Sequence, residues 1–153
     1  MHEVISLLIN RYDFFLQLLW EHIEISLSAS VIAIIVGGLL GVLIHEYKRL
    51  AGPVMLIVNF LYTIPSISML GLLLYVSGVG NTTAVIALVI YALLPMVRNT
   101  FTGLDQIKSD MREAGIALGL TRLQRLWHIE IPLAMPTIMA GIRTMLVMTI
   151  ALT

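Results

Sequence analysis

The segment from residue 50 to residue 97 contains no charged side chain, and this limits what the chain can fold into more than any other feature does. The run is too long for one bilayer crossing, because about 20 apolar residues in a helix span the hydrocarbon core. It divides at the turn cluster Ser77-Gly78-Val79-Gly80-Asn81. The pattern therefore predicts two membrane spans, residues 53–76 and 82–97.

The composition of the whole chain is that of a polytopic helical membrane protein. Hydrophobic residues make up 59% and charged residues only 12%, whereas about 25% charged residues is usual for a soluble domain. Backbone groups in lipid must be bonded within helices or closed barrels, and the alternating polarity of barrel strands is absent. We therefore expect an all-α transmembrane bundle.

Several kinds of chemistry are excluded by what the sequence lacks. There is no cysteine, so disulfides, thiolate metal sites and cysteine nucleophiles are ruled out. The four histidines do not fall at a metal-ligand spacing, and we expect no metal site. Neither GxxxxGK[ST] nor GxSxG occurs, which predicts no hydrolysis of ATP or esters by this chain. The N-terminus has no basic n-region or small-residue cleavage site, so a removable signal peptide is not expected.

Two further spans are predicted on either side of the uncharged segment. Residues 23–44 are apolar apart from Glu24, and the glycines in this span would form a small-residue face for close helix contact: Gly37, Gly38 and Gly41. Residues 135–153 begin a fourth span that carries Arg143, which we expect to reach back to the interface. Residues 1–22 form an N-terminal segment, amphipathic over 4–20, that fits an interfacial helix or a cap packed on the bundle.

Prolines interrupt two of the predicted spans. Pro65 lies within Tyr62-Thr63-Ile64-Pro65-Ser66, and Pro95 lies near the end of the third span. Proline in a transmembrane helix frees a backbone carbonyl, which a hydroxyl or cavity water can satisfy.

The distribution of positive charge predicts the topology. Lys48 and Arg49 follow the first span, and five basic residues follow the third: Arg98, Lys108, Arg112, Arg122 and Arg125. Lys and Arg are in excess in cytoplasmic loops. This places residues 98–134 in the cytoplasm and the N-terminus outside.

The cytoplasmic segment contains a pattern of two short helices joined by a tight turn. Asp110 is predicted to be the N-cap of the first helix, with Glu113 at position N3, and Gly119 stands where that helix needs a left-handed residue at its end. Thr121 with Gln124 predicts a capping box for the second helix. Pro132 is expected to end it.

The same residues carry a resemblance to a known family. Glu113-Ala114-Gly115, then Gly119, then Ile129-Glu130-Ile131-Pro132 resembles the EAA loop of ABC-importer permeases. The family pattern is Glu-Ala-Ala, three residues, Gly, nine residues, Ile, any residue, Leu-Pro. All the spacings are kept, with Gly115 in place of the second alanine and Ile131 in place of leucine.

The resemblance implies an all-α, polytopic transmembrane bundle of the ABC type I importer permease kind. It implies that the loop transmits movement from a separate ATPase, with these coupling residues: Glu113, Ala114, Gly115, Gly119, Ile129, Ile131 and Pro132. ATP and Mg would be bound by that ATPase and no cofactor by this chain. The implied partners are ABC ATPase subunits, a second permease subunit forming a homodimer or heterodimer, a solute-binding protein and membrane lipid, at the bacterial plasma membrane.

Two segments, residues 62–66 and 91–100, look like permeases for osmoprotectants such as glycine betaine, carnitine and choline. By that likeness the translocation path would be flanked by Tyr62, Thr63, Pro65, Ser66, Tyr91, Pro95 and Asn99. Tyr62 and Tyr91 either offer π-faces to a cation or only anchor and pack.

Other functions stay open on the sequence alone. An ABC permease for an amino acid such as methionine carries a similar loop. A gradient-driven secondary transporter or channel would need an ionisable relay at mid-membrane, which the second and third spans lack. A membrane scaffold is a third reading. Permeases of this group continue through further spans after the loop, so the end of the chain at Thr153, inside the fourth span, indicates a truncated bundle.

Overall fold

A computed structural model describes residues 11–153, and within that range the chain is helical with no strand. The helices, numbered here in chain order, are α1 Tyr12–Glu46, α2 Lys48–Thr63, α3 Ser66–Ser77, α4 Asn81–Asp105, α5 Ser109–Ala117, α6 Arg122–Arg125 and α7 Ile131–Leu152. A π-helical segment, Leu126–Glu130, joins α6 to α7 without a break. The predicted all-α fold is confirmed.

The described residues include three helical runs that are long and apolar enough to cross a membrane: Tyr12–Glu46, Asn81–Asp105 and Arg122–Leu152. At 1.5 Å per residue α1 is about 52 Å long, which exceeds a hydrocarbon core of about 30 Å. Its ends therefore extend beyond the core. There is no helix break at residue 22, so the described part of the predicted interfacial segment continues directly into the span; residues 1–10 of that prediction lie outside the described residues.

The predicted second span, residues 53–76, is not one continuous helix. The chain forms two helices, α2 and α3, at 99° to each other. The residue before a proline is driven out of the helical region by the proline ring, and Ile64 is extended, with φ −69° and ψ 126°. Pro65 therefore breaks the helix instead of kinking it, and the pair is either a broken span or a re-entrant segment.

Close backbone contact between α1 and α4 organises the bundle. A Cβ placed on Gly37 would lie 2.8 Å from Met96 Cβ, and one on Gly41 would lie 2.5 Å from Thr100 Cβ. Helix association in lipid relies on small residues that let backbones approach. The predicted small-residue face is confirmed at these two glycines, whereas a Cβ on Gly38 would make only an ordinary contact, 3.6 Å from Met96 Cε.

The direction of each helix follows from these contacts. Positions 37 and 41 of α1 meet 96 and 100 of α4, so these helices are parallel. Gly103 meets Thr137 and Gly141 meets Asn99, so α7 is antiparallel to α4. The break between α2 and α3 lies on the return path from α1 to α4.

The ends of several helices come together at one end of the bundle, here called the loop end. Lys48 pairs with Asp105, which joins the start of α2 to the end of α4. Arg122 pairs with Glu46, which joins α6 to the end of α1. The basic segments after the first and third spans therefore share one end of the bundle, whereas the side of the membrane that this end faces stays a prediction.

Candidate functional site

A hairpin made of α5, the turn at Gly119 and α6 projects at the loop end. Gly119 has φ +76°, as predicted for a left-handed helix end. The Gly119 N–H donates to Ile116 O at 2.9 Å, and the Leu120 N–H donates to Gly115 O at 3.1 Å. These two bonds form a Schellman motif, which satisfies carbonyls at the end of α5 and fixes the corner.

The second helix of the hairpin starts as predicted, and the first does not. Thr121 and Gln124 form a reciprocal capping box, with the Thr121 N–H donating to Gln124 Oε1 at 2.9 Å. Asp110, however, is not the N-cap of α5. The cap is Lys108, without a side-chain bond, and Asp110 lies in the first turn. A carboxylate there still interacts favourably with the helix dipole, which explains its place without a capping role.

The prediction that Pro132 ends the second helix was also wrong. Pro132 is the second residue of α7, and the helix runs through it. The preceding π segment closes with the Ile131 N–H donating to Leu126 O, five residues back. This wider turn accommodates a proline that would clash in a regular α-helix. The hairpin is therefore attached to α7 by one continuous helical rod.

The residues predicted to couple to an ATPase fall into two groups. Glu113 and Ala114 are exposed on α5 and Gly119 is exposed at the turn, so they are open to a partner. Gly115 is buried, and a Cβ on it would lie 2.9 Å from Ile129 Cδ1. The remaining predicted residues lie around the start of α7, with Ile129 and Ile131 half-buried and Pro132 exposed.

A buried carboxylate, not anticipated from the sequence, joins the hairpin to the bundle. Glu130 is 2% exposed. Its carboxylate lies 2.9 Å from Arg125 Nε, 3.3 Å from His45 Nε2 and 3.9 Å from Arg112 Nε. We call Glu130, His45, Arg112 and Arg125 the Glu130 cluster. A sequence signal for it exists, because Glu130 lies four residues from each of the apolar residues Leu126 and Ala134 and so on the same helical face.

His45 takes part in the cluster through Nε2, which lies 3.3 Å from the Glu130 carboxylate. Arg112, whose Nη2 is 3.4 Å from the same nitrogen, donates instead to Leu104 O at 2.7 Å.

The spacing of His45, Glu46 and Glu130 would allow a metal ion, since their ligand atoms lie within 4.8 Å of one another. Both carboxylates are already paired, however: Glu130 with Arg125 and Glu46 with Arg122. A divalent cation would have to displace these guanidinium groups. The arrangement fits a network of ion pairs better than a metal site.

The residues predicted to flank the translocation path lie in two separate places in the structure. The Tyr91 hydroxyl donates to the Ile64 carbonyl that the proline break frees. The Tyr62 ring stands edge-on to Tyr91, with centroids 6.1 Å apart. Ser66 and Tyr91 border a cavity of about 270 Å³ near the break, and Thr63 and Pro65 are exposed beside it.

Pro95 and Asn99 do not join that group. They lie along α4 where α7 packs closest: a Cβ on Gly141 would meet Asn99 Cβ at 2.6 Å and Pro95 O at 3.1 Å. Asn99 Nδ2 also donates to Pro95 O at 2.7 Å. Their contacts hold α4 and α7 together. A role for these two residues in the translocation path stays a prediction.

We expect Tyr91→Phe to destabilise the bundle by about 1–3 kcal/mol, because it leaves the Ile64 carbonyl without this donor in a partly buried place. Thermal unfolding of the purified protein in detergent measures this. Tyr62→Phe is the matched control, since within residues 11–153 its hydroxyl bonds only to Met148 Sδ, at 3.4 Å, and the side chain is exposed. Equal unfolding temperatures for the two variants would contradict the role given to Tyr91.

Comparison with known proteins shows which family and which transport proteins this chain is similar to. The family model described as "Binding-protein-dependent transport system inner membrane component" matches residues 9–153. The chain is 44% identical over 138 residues to the glycine betaine/carnitine/choline transport system permease protein OpuCD of Bacillus subtilis (strain 168), covering 90% of this chain and 60% of that protein.

Two other similar proteins are also permeases by name. The osmoprotectant import permease protein OsmW of Salmonella typhimurium (strain LT2) is 42% identical over 153 residues, covering 97% of this chain and 71% of that protein. The carnitine transport permease protein OpuCD of Listeria monocytogenes is 40% identical over 152 residues, covering 97% and 68%. The chain thus spans 60% to 71% of the length of these relatives.

Proposed function

This chain belongs to the family of binding-protein-dependent transport system inner membrane components, and from that premise we propose that it is a permease subunit of an ATP-binding cassette importer. Its cargo would be a compatible solute such as glycine betaine, carnitine or choline, moved across the plasma membrane. The observation that carries the proposal is the exposed hairpin built on the EAA pattern and continuous with α7.

The hairpin has the properties of a lever. The Gly119 corner is fixed by two backbone bonds, and the capping box fixes the start of α6. Through the π segment, a displacement of α6 passes into α7, which packs against α4. Movement can be transmitted between distant sites by a rigid element that has more than one arrangement. Closure of a partner ATPase on ATP would move the hairpin, and α7 would shift against the helices beside the broken pair.

The similar proteins and the side chains near the break between α2 and α3 favour a compatible solute as the cargo. The relatives named above carry glycine betaine, carnitine, choline or osmoprotectants in their names, which favours a compatible solute over an amino acid such as methionine. Tyr91 borders a cavity and the Tyr62 ring stands edge-on to Tyr91, and aromatic faces attract quaternary ammonium groups. Residues 50–97, which contain α3 and all of α2 after Arg49, carry no charged side chain and so offer no ionisable relay for gradient-driven transport.

The proposal assigns ATP hydrolysis, with its Mg, to separate ATPase subunits that grip the exposed face of α5. A second permease subunit would complete the path, and a solute-binding protein would deliver the cargo on the opposite side. The N-terminus would face outward, because Lys and Arg favour the cytoplasmic side and the basic segments gather at the loop end.

Uptake of labelled glycine betaine, carnitine and choline at high osmolarity tests the proposal. The full-length protein is expressed with its ATPase, and with the same ATPase inactivated at its phosphate-loop lysine. We expect uptake of at least one solute with the active ATPase and a loss of about tenfold or more with the inactive one. Uptake that survives inactivation would indicate a gradient-driven carrier. Unchanged uptake after deletion of this chain would indicate a membrane scaffold that does not transport the solute.

A further inference from the structure

We propose that Glu130 is the positioning residue that fastens the coupling hairpin to the membrane helices, so that hairpin and α7 move as one body. The inference rests on the proposed function and adds to the coupling loop a residue outside its recurring motif, at the position where the pattern allows any residue. Burial, contacts and helix geometry each support it.

The contacts of Glu130 and its partners reach every element at the loop end except α2. His45 belongs to the end of α1, Arg112 to α5 and Arg125 to α6. Arg112 also donates to the Leu104 carbonyl, in the last turn of α4, at 2.7 Å. One carboxylate therefore ties both helices of the hairpin to the ends of the two helices that form the closest contact in the bundle.

The burial of this carboxylate makes the tie strong. Ion pairs in water contribute little because solvent screens them, but Glu130 is 2% exposed and the Arg125 side chain 18%. Removing one partner of a buried pair leaves the other charge unbalanced in a poor dielectric, which is strongly unfavourable. The hairpin is consequently held mainly by the bond from Arg125 at 2.9 Å, with the more exposed Arg112 at 3.9 Å adding a weaker attraction.

Glu130 is the last residue of the π segment. It lies four residues from Leu126, a spacing that keeps both side chains on one helical face, and both are buried. Single π turns inside helices are frequently found at functional sites. Here the turn lies between the hairpin and α7, at the joint through which movement would pass.

The absence of cysteine from the chain gives a direct measurement. Leu118→Cys introduces one labelling site at the turn of the hairpin, where the side chain is 77% exposed. A spin label there reports hairpin mobility in the full-length protein reconstituted in lipid nanodiscs, with and without Glu130→Gln. We expect the label to become more mobile in the variant, because α5 and α6 lose their shared anchor.

Coupling is measured on the assembled importer as solute transported per ATP hydrolysed. We expect Glu130→Gln to lower this ratio by about tenfold or more while the ATPase still co-purifies with the complex. Glu46→Gln is the matched control: Glu46 also pairs with an arginine at the loop end, but Arg122 is largely exposed, so the ratio should stay within about twofold. An unchanged label spectrum and an unchanged ratio in Glu130→Gln would overturn the proposal.

A double variant separates positioning from simple stability. Arg125→Gln with Glu130→Gln removes one charge of each sign, so it carries the test if Glu130→Gln alone does not accumulate. We expect the pair to restore protein level but leave the label mobile and the ratio low. Recovery of a normal ratio of solute transported per ATP in the double variant would mean that Glu130 only balances the charge of Arg125, and it would overturn the proposal. The label is measured without transport. If the protein without the Glu130 substitution has an immobile label but shows no solute uptake, the result contradicts the proposed function and leaves this inference standing.

Discussion

Gly41→Leu is expected to prevent the accumulation of folded protein. A Cβ at this position would lie 2.5 Å from Thr100 Cβ, 2.7 Å from Thr100 Cγ2 and 3.1 Å from the Val97 carbonyl oxygen. Neither neighbour can move aside easily, because Val97 and Thr100 are 0% and 2% exposed and one of the clashing atoms is backbone. Leucine would force α1 away from α4 along their closest contact.

The cost of this separation is at the upper end of what overpacking causes, about 3 kcal/mol or more. Close approach through small residues is a main source of helix association in lipid, so the loss is not recovered by repacking elsewhere. Membrane abundance and thermal unfolding in detergent measure the effect.

Gly71→Leu is the matched control, since Gly71 also lies in an apolar helix and nothing would come within 4 Å of its Cβ. We expect that variant to accumulate normally. Similar abundance and unfolding temperature for the two leucine variants would show that the α1–α4 contact does not limit stability.

The features that the sequence predicted correctly depend on neighbouring residues. The capping box of Thr121 and Gln124 and the left-handed Gly119 follow rules that span only a few positions. The contact face of Gly37 and Gly41 follows from helical spacing and from the need of lipid-embedded helices for small residues. Each of these could be stated before the path of the chain was known.

The features that were missed or misplaced depend on what the chain meets in three dimensions. Proline at position 65 is compatible with a kink or with a break, and the donation from Tyr91, 27 residues away, stabilises the break. Pro132 is tolerated because a π turn precedes it, which no local rule announced. Glu130 is buried because His45, 85 residues earlier, and two arginines meet it.

Glu113→Lys is expected to abolish ATP-coupled uptake without affecting the fold. Glu113 is exposed on α5, and among residues 11–153 no side chain forms an ion pair or hydrogen bond with it. Exposed substitutions of this kind usually change stability by no more than about 0.5 kcal/mol. The resemblance to the EAA loop assigns this glutamate to ATPase docking. Lysine would oppose a surface that accepts a carboxylate, and like charges at an interface cost several kcal/mol.

The measurement combines uptake of the labelled solutes with co-purification of the ATPase, and we expect both to fall by about tenfold or more while membrane abundance is unchanged. Asp110→Lys is the control, because Asp110 is also an exposed carboxylate on α5, one turn earlier, and its change of charge is the same. An equal loss from both variants would mean that the charge of the hairpin as a whole matters. Normal uptake by Glu113→Lys would mean that the ATPase does not grip the hairpin at this residue, since the variant retains every contact that holds the loop in place.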